Sequence, residues 1–365
     1  MITLTAARTR QARVRANGLA GDRAASVAEA TRRAVGLQAQ DVKACRLSVR
    51  SRTSGLVKSD VDKAVRERAV VRTWAMRGTL HMVAAEDLGW VVGLLGPYFA
   101  KGLFGRRRQL GLDEETTERG VRAVAAVLSG SRPLTRAELV ARIAEHGVVI
   151  DPRTQAVPHL LGYAAMTGVI CRGPGLERDE PSYVLTREWL GEQPVIAEEE
   201  ALTRLAARYL AGCGPATAED FAAWSGLPLG KARQGFGGLE LEPVTAAGEP
   251  AFVLAGTELP ATARKPEVRL LGHFDAYLLG YRGRALAVPD GFEHRIRAGG
   301  GMIMPAVLVD GLAVGTWRQV RRKDGLRVIV EPFGALADRV LPGLRDEVTD
   351  LGRFLGLPTE WELGR

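Results

Sequence analysis

A chain of 365 residues and 39.3 kDa is too long for one small hydrophobic core, so about two to four compact units are expected. Its 46% hydrophobic and 25% charged residues are typical of a globular cytoplasmic protein, and no apolar run approaches the roughly 20 residues that span a bilayer. Cys45, Cys171 and Cys213 lack metal-site or disulfide spacing, and the N-terminal stretch lacks the apolar segment of a signal peptide.

The positive charge is concentrated near the N-terminus. The net charge is +8, and residues 1–72 contain 16 Lys/Arg against 6 Asp/Glu, so the remainder is slightly acidic. This skew is typical of a solvated basic face, and the alternative is a surface that binds the phosphate backbone of DNA.

The segment "RRAVGLQAQDVKACRL" places Gln38 and Gln40 around Ala39, directly before Asp41. In a regular helix the two amides would point about 200° apart, so an extended or kinked segment is needed for them to face one cavity. Asp41 is then the predicted N-cap of the following helix. The alternative is that two exposed glutamines simply flank a helix start.

The next elements form a first repeat. "SDVDKAVRERAVVRTWAMRGTLHMV" predicts, in order, a capped helix, a strand at 70–74, a turn at Gly78 and a strand at 79–83. Alternation gathers a cation, an indole and an imidazole on this hairpin, from Arg72, Trp74 and His81. A core tryptophan and a satisfied buried histidine are equally consistent with the pattern.

Two further repeats follow with the same order of helix, helix and hairpin. "PLTRAELVARIAEHG" begins with Thr135 three residues before Glu138, a capping-box signature, and a second helix and hairpin follow it. "TAEDFAAWSGLP" repeats the cap with Thr217 and Asp220. Helix, helix and two-stranded wing is the order of a winged helix, and three such units in tandem reinforce one another.

From about residue 265 the pattern changes to strands. Asp310-Gly311 and Asp324-Gly325 are dipeptides typical of type I′ hairpin turns, and the last helix has one apolar face. We therefore predict an α+β fold of tandem winged-helix units followed by a C-terminal antiparallel meander or small β-barrel. The predicted segments are 1–115, 116–193, 194–262 and 263–365.

Four motifs give the chain a resemblance to a known family. "LQAQD", "RTWAMRGTLH", "HFDAYLLGYRGR" and "LVDGLAVGTWR" resemble the AlkZ-like winged-helix DNA glycosylases, bacterial enzymes that excise bulky alkylated purines and unhook interstrand crosslinks. The resemblance spans essentially the whole chain and implies tandem winged helices with a β-barrel around a basic channel. It implies that Gln38 and Gln40 are the catalytic pair, in the double-glutamine form associated with self-resistance to DNA-alkylating antibiotics.

The chemistry of such a site explains two neutral amides. Cleavage of an N-glycosidic bond develops positive charge on the sugar, and a normal purine is a poor leaving group that needs a general acid. A purine alkylated at N7 or N3 already carries a positive charge and leaves neutral. The enzyme then needs only to position a water and to offer carbonyl oxygens to the cationic sugar.

The resemblance also implies a β-hairpin inserted near the lesion and cations on the phosphates. The candidate DNA-binding residues are Arg72, Trp74, Arg77, Thr79, His81, Arg282, Arg284, His294, Arg318, Arg321 and Arg322. The expected partner is double-stranded DNA containing alkylated purines, bound by a monomer. His273 and Asp275 are expected to form a structural pair.

No metal site or cofactor is predicted, because the five histidines lack paired spacing and no phosphate-binding loop motif occurs. Lys43 and Lys58 are the only lysines near the glutamines, and a Schiff base is not expected, so excision should occur without strand cleavage. Two alternatives remain at this level. One is a winged-helix DNA-binding regulator without catalysis, and the other is a protein that sequesters an aromatic natural product.

Overall fold

The computed structural model describes residues 2–259 and 265–364. Its α-helices are α1 (Ala6–Ala16), α2 (Val27–Arg33), α3 (Val42–Arg50), α4 (Lys58–Arg66), α5 (Leu88–Gly102), α6 (Phe104–Gln109), α7 (Glu114–Leu128), α8 (Arg136–Glu145), α9 (Ala156–Met166), α10 (Thr186–Leu190), α11 (Glu198–Cys213), α12 (Ala218–Ser225), α13 (Leu229–Gly237), α14 (Ala276–Leu279), α15 (Glu293–Ile296) and α16 (Leu341–Leu355). Its strands are β1 (Ile2–Leu4), β2 (Leu37–Gln38), β3 (Val70–Trp74), β4 (Leu80–Ala84), β5 (Leu134–Thr135), β6 (Ile170–Arg172), β7 (Ser182–Leu185), β8 (Leu241–Ala246), β9 (Glu249–Leu254), β10 (Val268–Leu271), β11 (Ala306–Val309), β12 (Leu312–Arg321), β13 (Leu326–Pro332) and β14 (Thr359–Leu363).

The contacts divide the chain into two compact units. The first unit consists of Met1–Val61 together with Thr203–Arg365, and the second consists of Asp62–Leu202. The content is mixed helix and strand, as the α+β prediction requires. The predicted border at 262/263 lies outside the described residues.

The C-terminal part of the first unit is a five-stranded sheet with the order β10-β11-β12-β13-β14. Its hydrophobic core is closed by α16, which buries Leu344, Val348 and Leu351 against the sheet, and by Leu47 of α3. The predicted antiparallel barrel is not confirmed, because the described strands form an open sheet. In addition, β13 and β14 pair in parallel, since α16 returns the chain across the sheet between them.

The two Asp-Gly turns of this sheet differ. Asp310 and Gly311 have φ of 49° and 80° and connect β11 to β12 as a two-residue turn, as predicted. The second turn is longer than a two-residue type I′ turn, because Arg321 pairs with Leu326 and the backbone N–H of Arg322 donates to the Gly325 carbonyl at 2.9 Å. The hairpin therefore ends in a four-residue loop.

The remaining part of the first unit contains α11, α12, α13 and the hairpin β8–β9. The predicted cap of α12 is confirmed, since Thr217 and Asp220 form a reciprocal capping box. The sequence did not indicate that β1 adds to β8 as a parallel strand. Tyr209, Phe221 and Trp224 pack their rings with centroids 5.1 to 6.1 Å apart in the core of this part.

The second unit has a sheet in which β4, β3, β6, β7 and β5 follow one another. The strands at 70–74 and 80–84 agree with the predicted hairpin, and Thr135 and Glu138 form the predicted capping box at the start of α8. Helices α7, α8 and α9 pack on this sheet through Val124, Leu139 and Leu160. The order α8, α9, β6, β7 is helix, helix and hairpin.

Candidate active site and nucleic-acid interface

The two glutamines follow a tight turn in the first unit. Helix α2 ends at Arg33, and the N–H groups of Val35 and Gly36 donate to the carbonyls of Arg32 and Thr31 at 3.0 and 2.9 Å. This is a Schellman-type ending, but the left-handed position, with φ of 57°, is occupied by a β-branched valine. A valine there is strained, and such strain persists where surrounding packing enforces it.

Helix α11 supplies that packing. A Cβ atom added to Gly212 would lie 2.3 Å from the Arg33 carbonyl oxygen and 3.0 Å from Cγ2 of Val35. Only glycine permits this approach of the helix to the turn. The contact with α11 therefore holds in place the backbone that leads into the glutamines.

The two amides are hydrogen-bonded to each other. Gln38 ends strand β2 and is 9% exposed, Ala39 is fully buried, and Gln40 is exposed. Nε2 of Gln38 donates to Oε1 of Gln40 at 2.8 Å. Residues two apart on an extended chain share a face, so the amides meet while Ala39 points into the core. The predicted extended geometry is present, and the expectation of two simply exposed glutamines does not describe Gln38.

Asp41 has the predicted role of N-cap of α3. Its carboxylate accepts hydrogen bonds from the N–H groups of Lys43 and Ala44 at 2.8 and 3.1 Å. The cap fixes the position at which the extended segment ends and the helix begins. It also neutralises the helix N-terminus beside the amides, which leaves the Gln38–Gln40 pair as the uncharged polar group of this segment.

Helix α3 is held in the first unit by buried ion pairs. Arg50 is 1% exposed, and its guanidinium contacts Glu347 at 2.8 Å and Asp350 at 2.9 Å. Glu347 also lies 3.5 Å from Arg269. Burial works to raise the pKa of Glu347, but the charges of Arg50 and Arg269 hold that pKa below its ordinary value, so this carboxylate stays ionised.

A second buried pair follows directly after α3. The guanidinium of Arg52 donates to both carboxylate oxygens of Asp275, at 2.9 and 2.7 Å, and Ser48 donates to the same carboxylate at 3.0 Å. Asp275 is therefore structural, as expected, but its partner is Arg52 and not His273. The Nδ1 atom of His273 lies 3.1 Å from the carbonyl oxygen of Ile303 instead.

These ion pairs account for part of the positive charge near the N-terminus. Arg46, Arg50 and Arg52 are all buried, and Arg50 and Arg52 are committed to carboxylates of the C-terminal half. Part of the basic excess in residues 1–72 thus anchors α3 and is not a phosphate-binding surface.

The candidate DNA-binding side chains of the β3–β4 hairpin lie on opposite faces of that hairpin. Thr73 lies opposite His81, whereas Arg72 lies opposite Met82, so the imidazole faces away from Arg72 and Trp74. Arg72 is 5% exposed and donates to the Gly173 carbonyl at 3.1 Å. Trp74 is half-buried and packs on the core of the second unit.

His81 is an uncharged residue in this structure. It is 2% exposed, and its Nδ1 lies 3.0 Å from the Thr79 carbonyl oxygen. Burial and the nearby charge of Arg77 lower its pKa to about 3. At the turn itself, Arg77 has φ of 55° and is half-exposed, and the hydroxyl of Thr79 donates to the Met76 carbonyl at 3.1 Å.

The C-terminal candidates fall into two groups. Arg284 donates to the Leu278 carbonyl at 2.8 Å and to Glu293 at 3.2 Å, and Arg318 of β12 contacts Glu331 of β13 at 3.2 Å, so both make contacts within the first unit. The side chains of Arg282, His294, Arg321 and Arg322 are exposed, as is that of Arg318. Arg321 and Arg322 lie at the loop between β12 and β13.

The described residues contain no group of three or more His, Cys, Asp or Glu side chains placed to hold a metal ion. None of the helices in residues 2–259 and 265–364 is long and apolar enough to cross a membrane.

Residues 31–354 match the family described as DNA glycosylase AlkZ-like. The chain belongs to this family. It is therefore a DNA glycosylase, an enzyme that hydrolyses the bond between a base and its sugar.

Relatives of this AlkZ-like glycosylase agree with the match. The chain is 32% identical over 357 residues to a curated protein of Streptomyces sahachiroi named interstrand DNA cross-link repair glycosylase, and 91% of each chain is covered. Its fold is similar to the solved structure of the Streptomyces sahachiroi DNA glycosylase AlkZ, with a TM-score of 0.83 and 27% identity over 99% of this chain and 100% of that one.

Proposed function

We propose that this glycosylase removes cationic N7- or N3-alkylated purines from duplex DNA and unhooks interstrand crosslinks formed through such purines. Gln38 and Gln40 are the catalytic pair. The observation that carries the proposal is the 2.8 Å hydrogen bond that joins the two amides on one face of an extended segment. The relative named as a cross-link repair glycosylase supports the substrate class.

Neutral amides are sufficient because the substrate supplies the positive charge. As the bond from C1′ of the sugar to the purine nitrogen breaks, its electron pair moves onto the alkylated base, which departs uncharged. The positive charge that develops on the sugar is stabilised by amide oxygens, and a water attacks C1′ and releases a proton to solvent. An unmodified purine would leave as an anion, so this site should spare it.

We assign different tasks to the two glutamines on the basis of this hydrogen bond. Gln38 is nearly buried and uses its N–H to orient the Gln40 carbonyl. An amide oxygen can accept two hydrogen bonds, so Oε1 of Gln40 keeps one site for a water. Gln40 is exposed and thus positions the attacking water. Gln38 holds the side chain of Gln40 in place.

Binding to DNA is proposed to be electrostatic and without strong sequence preference. The helix–helix–hairpin segments are winged-helix units, and the exposed Arg282, His294, Arg321 and Arg322 contact backbone phosphates. At the hairpin turn Arg77 and Thr79 contact the DNA, and Arg72, Trp74 and His81 stabilise the hairpin from its buried sides. The protein acts as a monomer.

The direct test uses a duplex with a single N7-alkylguanine. After incubation, alkaline treatment should cleave the strand at the resulting abasic site, and no cleavage should occur without alkali. A duplex with one interstrand crosslink between N7 atoms should be converted to separable strands. A footprint at a specific operator without any base release would instead favour a DNA-binding regulator.

Self-resistance to a DNA-alkylating natural product is the biological role that we propose for the double-glutamine form. Expression of the chain in a sensitive host should raise survival under such a compound, and the Gln38→Ala/Gln40→Ala variant should not. Equal protection by the variant would point to sequestration of the compound.

A further inference from the structure

The sheet of the second unit carries a row of cationic side chains across its strands. Arg72 lies opposite Met82 on one side and opposite Arg172 on the other, and Arg172 lies opposite Tyr183. Directly opposite residues of neighbouring strands share one face of a sheet, so the two guanidinium groups are neighbours on that face.

The guanidinium group of Arg172 lies near two aromatic rings. Its guanidinium carbon lies 4.1 Å from the ring centroid of Tyr183 and 5.3 Å from that of Trp74. Within the part of the chain that the structure describes, no carboxylate lies within 4.0 Å of this guanidinium. Burial lowers the pKa of Arg172, Tyr183 opposes this, and the charges of Arg72 and Arg136 lower the pKa further.

Arg136 adds a third positive charge next to this row, since Thr135 directly before it pairs with Ser182 of β7 and the charge of Arg136 acts on Arg172. It is the first residue of α8 and is exposed, with no carboxylate within 4.0 Å in residues 2–259 and 265–364. The acid nearest in that helix, Glu138, is occupied by Arg132 and by the N–H of Thr135. The partial positive charge of the helix N-terminus has the same sign as Arg136.

Such a cluster is unfavourable for an isolated protein. Like charges directly opposite each other in a sheet are destabilising, and a half-buried cation without an acid loses solvation that nothing replaces. In the first unit the buried Arg50, Arg52 and Arg269 all have carboxylate partners. Among the residues that the structure describes, Arg172 and Arg136 have no carboxylate within 4.0 Å, and a bound anion would supply their counter-charge.

We propose that Arg172 and Arg136 each bind a backbone phosphate of the DNA on which this glycosylase acts. Arg172 presents a planar donor group whose orientation is set by Tyr183 and Trp74, which suits two parallel hydrogen bonds to phosphate oxygens. This inference rests on the proposed function only in taking DNA as the ligand. It does not depend on the chemistry of Gln38 and Gln40.

The test is the salt dependence of binding to a fluorescently labelled duplex, with and without the lesion, measured by anisotropy. Arg172→Met keeps the apolar stem, and Arg136→Gln removes the exposed charge. Each phosphate contact contributes about 0.9 to the slope of log K against log salt concentration, so each variant should reduce that slope by about 1 and weaken binding about tenfold at low salt. The matched control is Arg142→Gln, which removes an exposed charge from the same helix and should leave the slope unchanged.

A second readout separates this role from simple packing. Because Arg172→Met removes a like charge, its melting temperature should equal or exceed that of the wild type, whereas loss of a structural arginine would lower it. Unchanged slopes in both variants would overturn the proposal, as would an equal loss in Arg142→Gln, since that loss would reflect overall charge alone. If Arg172→Met does not fold, the exposed Arg136→Gln decides the outcome.

The two proposals fail in different ways. Wild-type protein that binds DNA with the expected slope but releases no base would overturn the proposed function and leave this site intact. Base release by the wild type, together with unchanged salt slopes in Arg172→Met and Arg136→Gln, would overturn the phosphate site and leave the proposed function intact.

Discussion

The arginines of the two units differ in the charged groups that lie beside them. In the first unit Arg50 and Arg52 each contact a carboxylate, contributed by Glu347 and Asp275 from 297 and 223 residues further along the chain. In the second unit Arg72 and Arg172 lie opposite each other on one sheet face. The sequence shows arginine in both places, so the difference comes entirely from what distant segments bring beside it. Buried ion pairs of arginine stabilise the fold in the first unit, whereas Arg172 of the second unit has no carboxylate within 4.0 Å among the described residues.

The largest expected effect comes from removing an acid in the first unit. Asp275→Asn keeps the size of the side chain but leaves the buried Arg52 without its counter-charge, and breaking a buried pair in this way costs about 3–5 kcal/mol. Urea unfolding followed by circular dichroism should show this loss in the free energy of unfolding.

The same measurement on Arg172→Met sharpens the contrast between the units. That variant should be at least as stable as the wild type, because no acid of the described chain depends on Arg172. A loss for Arg172→Met as large as that for Asp275→Asn would mean that the two regions do not differ in the way described.

The two units should also respond to acid in different pH ranges. The pKa of His81 in the second unit is about 3 when folded, so the unfolded chain binds a proton first, and the free energy of unfolding should fall by up to about 1.4 kcal/mol per pH unit below about 6.5. The pKa of Glu347 in the first unit is below its ordinary 4.5, so its contribution is lost only as the pH falls further.

His81→Asn isolates the contribution of the second unit. Asparagine can still donate to the Thr79 carbonyl but does not titrate, so the decline in stability between pH 6.5 and pH 5 should be about 2 kcal/mol smaller than in the wild type. Urea unfolding at both pH values gives the comparison. An identical decline in wild type and variant would show that His81 does not cause it.

A smaller difference is expected within the amide pair of the first unit. Gln40→Glu keeps an oxygen that accepts the N–H of Gln38, whereas Gln38→Glu removes the donor and places a carboxylate against the Gln40 oxygen. Single-turnover excision should therefore be about tenfold slower in Gln38→Glu than in Gln40→Glu, which corresponds to about 1.4 kcal/mol for the lost hydrogen bond. The reverse order of rates would mean that the amides are oriented the other way round.

Local signals in the sequence were sufficient for much of the secondary structure. Asp41 as a helix cap, the capping boxes at Thr135 and Thr217, and the turn at Asp310-Gly311 all depend on residues within three positions, and all are present. The extended course of Gln38 to Gln40 followed from the requirement that both amides face one way.

Long-range pairing could not be derived in this manner. Nothing near Asp275 indicates Arg52 as its partner, and nothing in β1 indicates a parallel pairing with β8. The closed barrel was expected from alternating strands, but strand alternation does not specify whether the first and last strands meet. Arg172 was not singled out because a lone arginine at the end of a short strand carries no signal until Arg72 lies opposite it.

The most direct test of the central claim is base release from a duplex with one N7-alkylguanine under single-turnover conditions, in wild type and in Gln38→Ala/Gln40→Ala. The wild type should release the base, and the variant should be slower by at least about 10²-fold while it binds the same duplex almost as tightly. Excision by the variant at a rate close to that of the wild type would contradict the claim that two neutral amides are the catalyst.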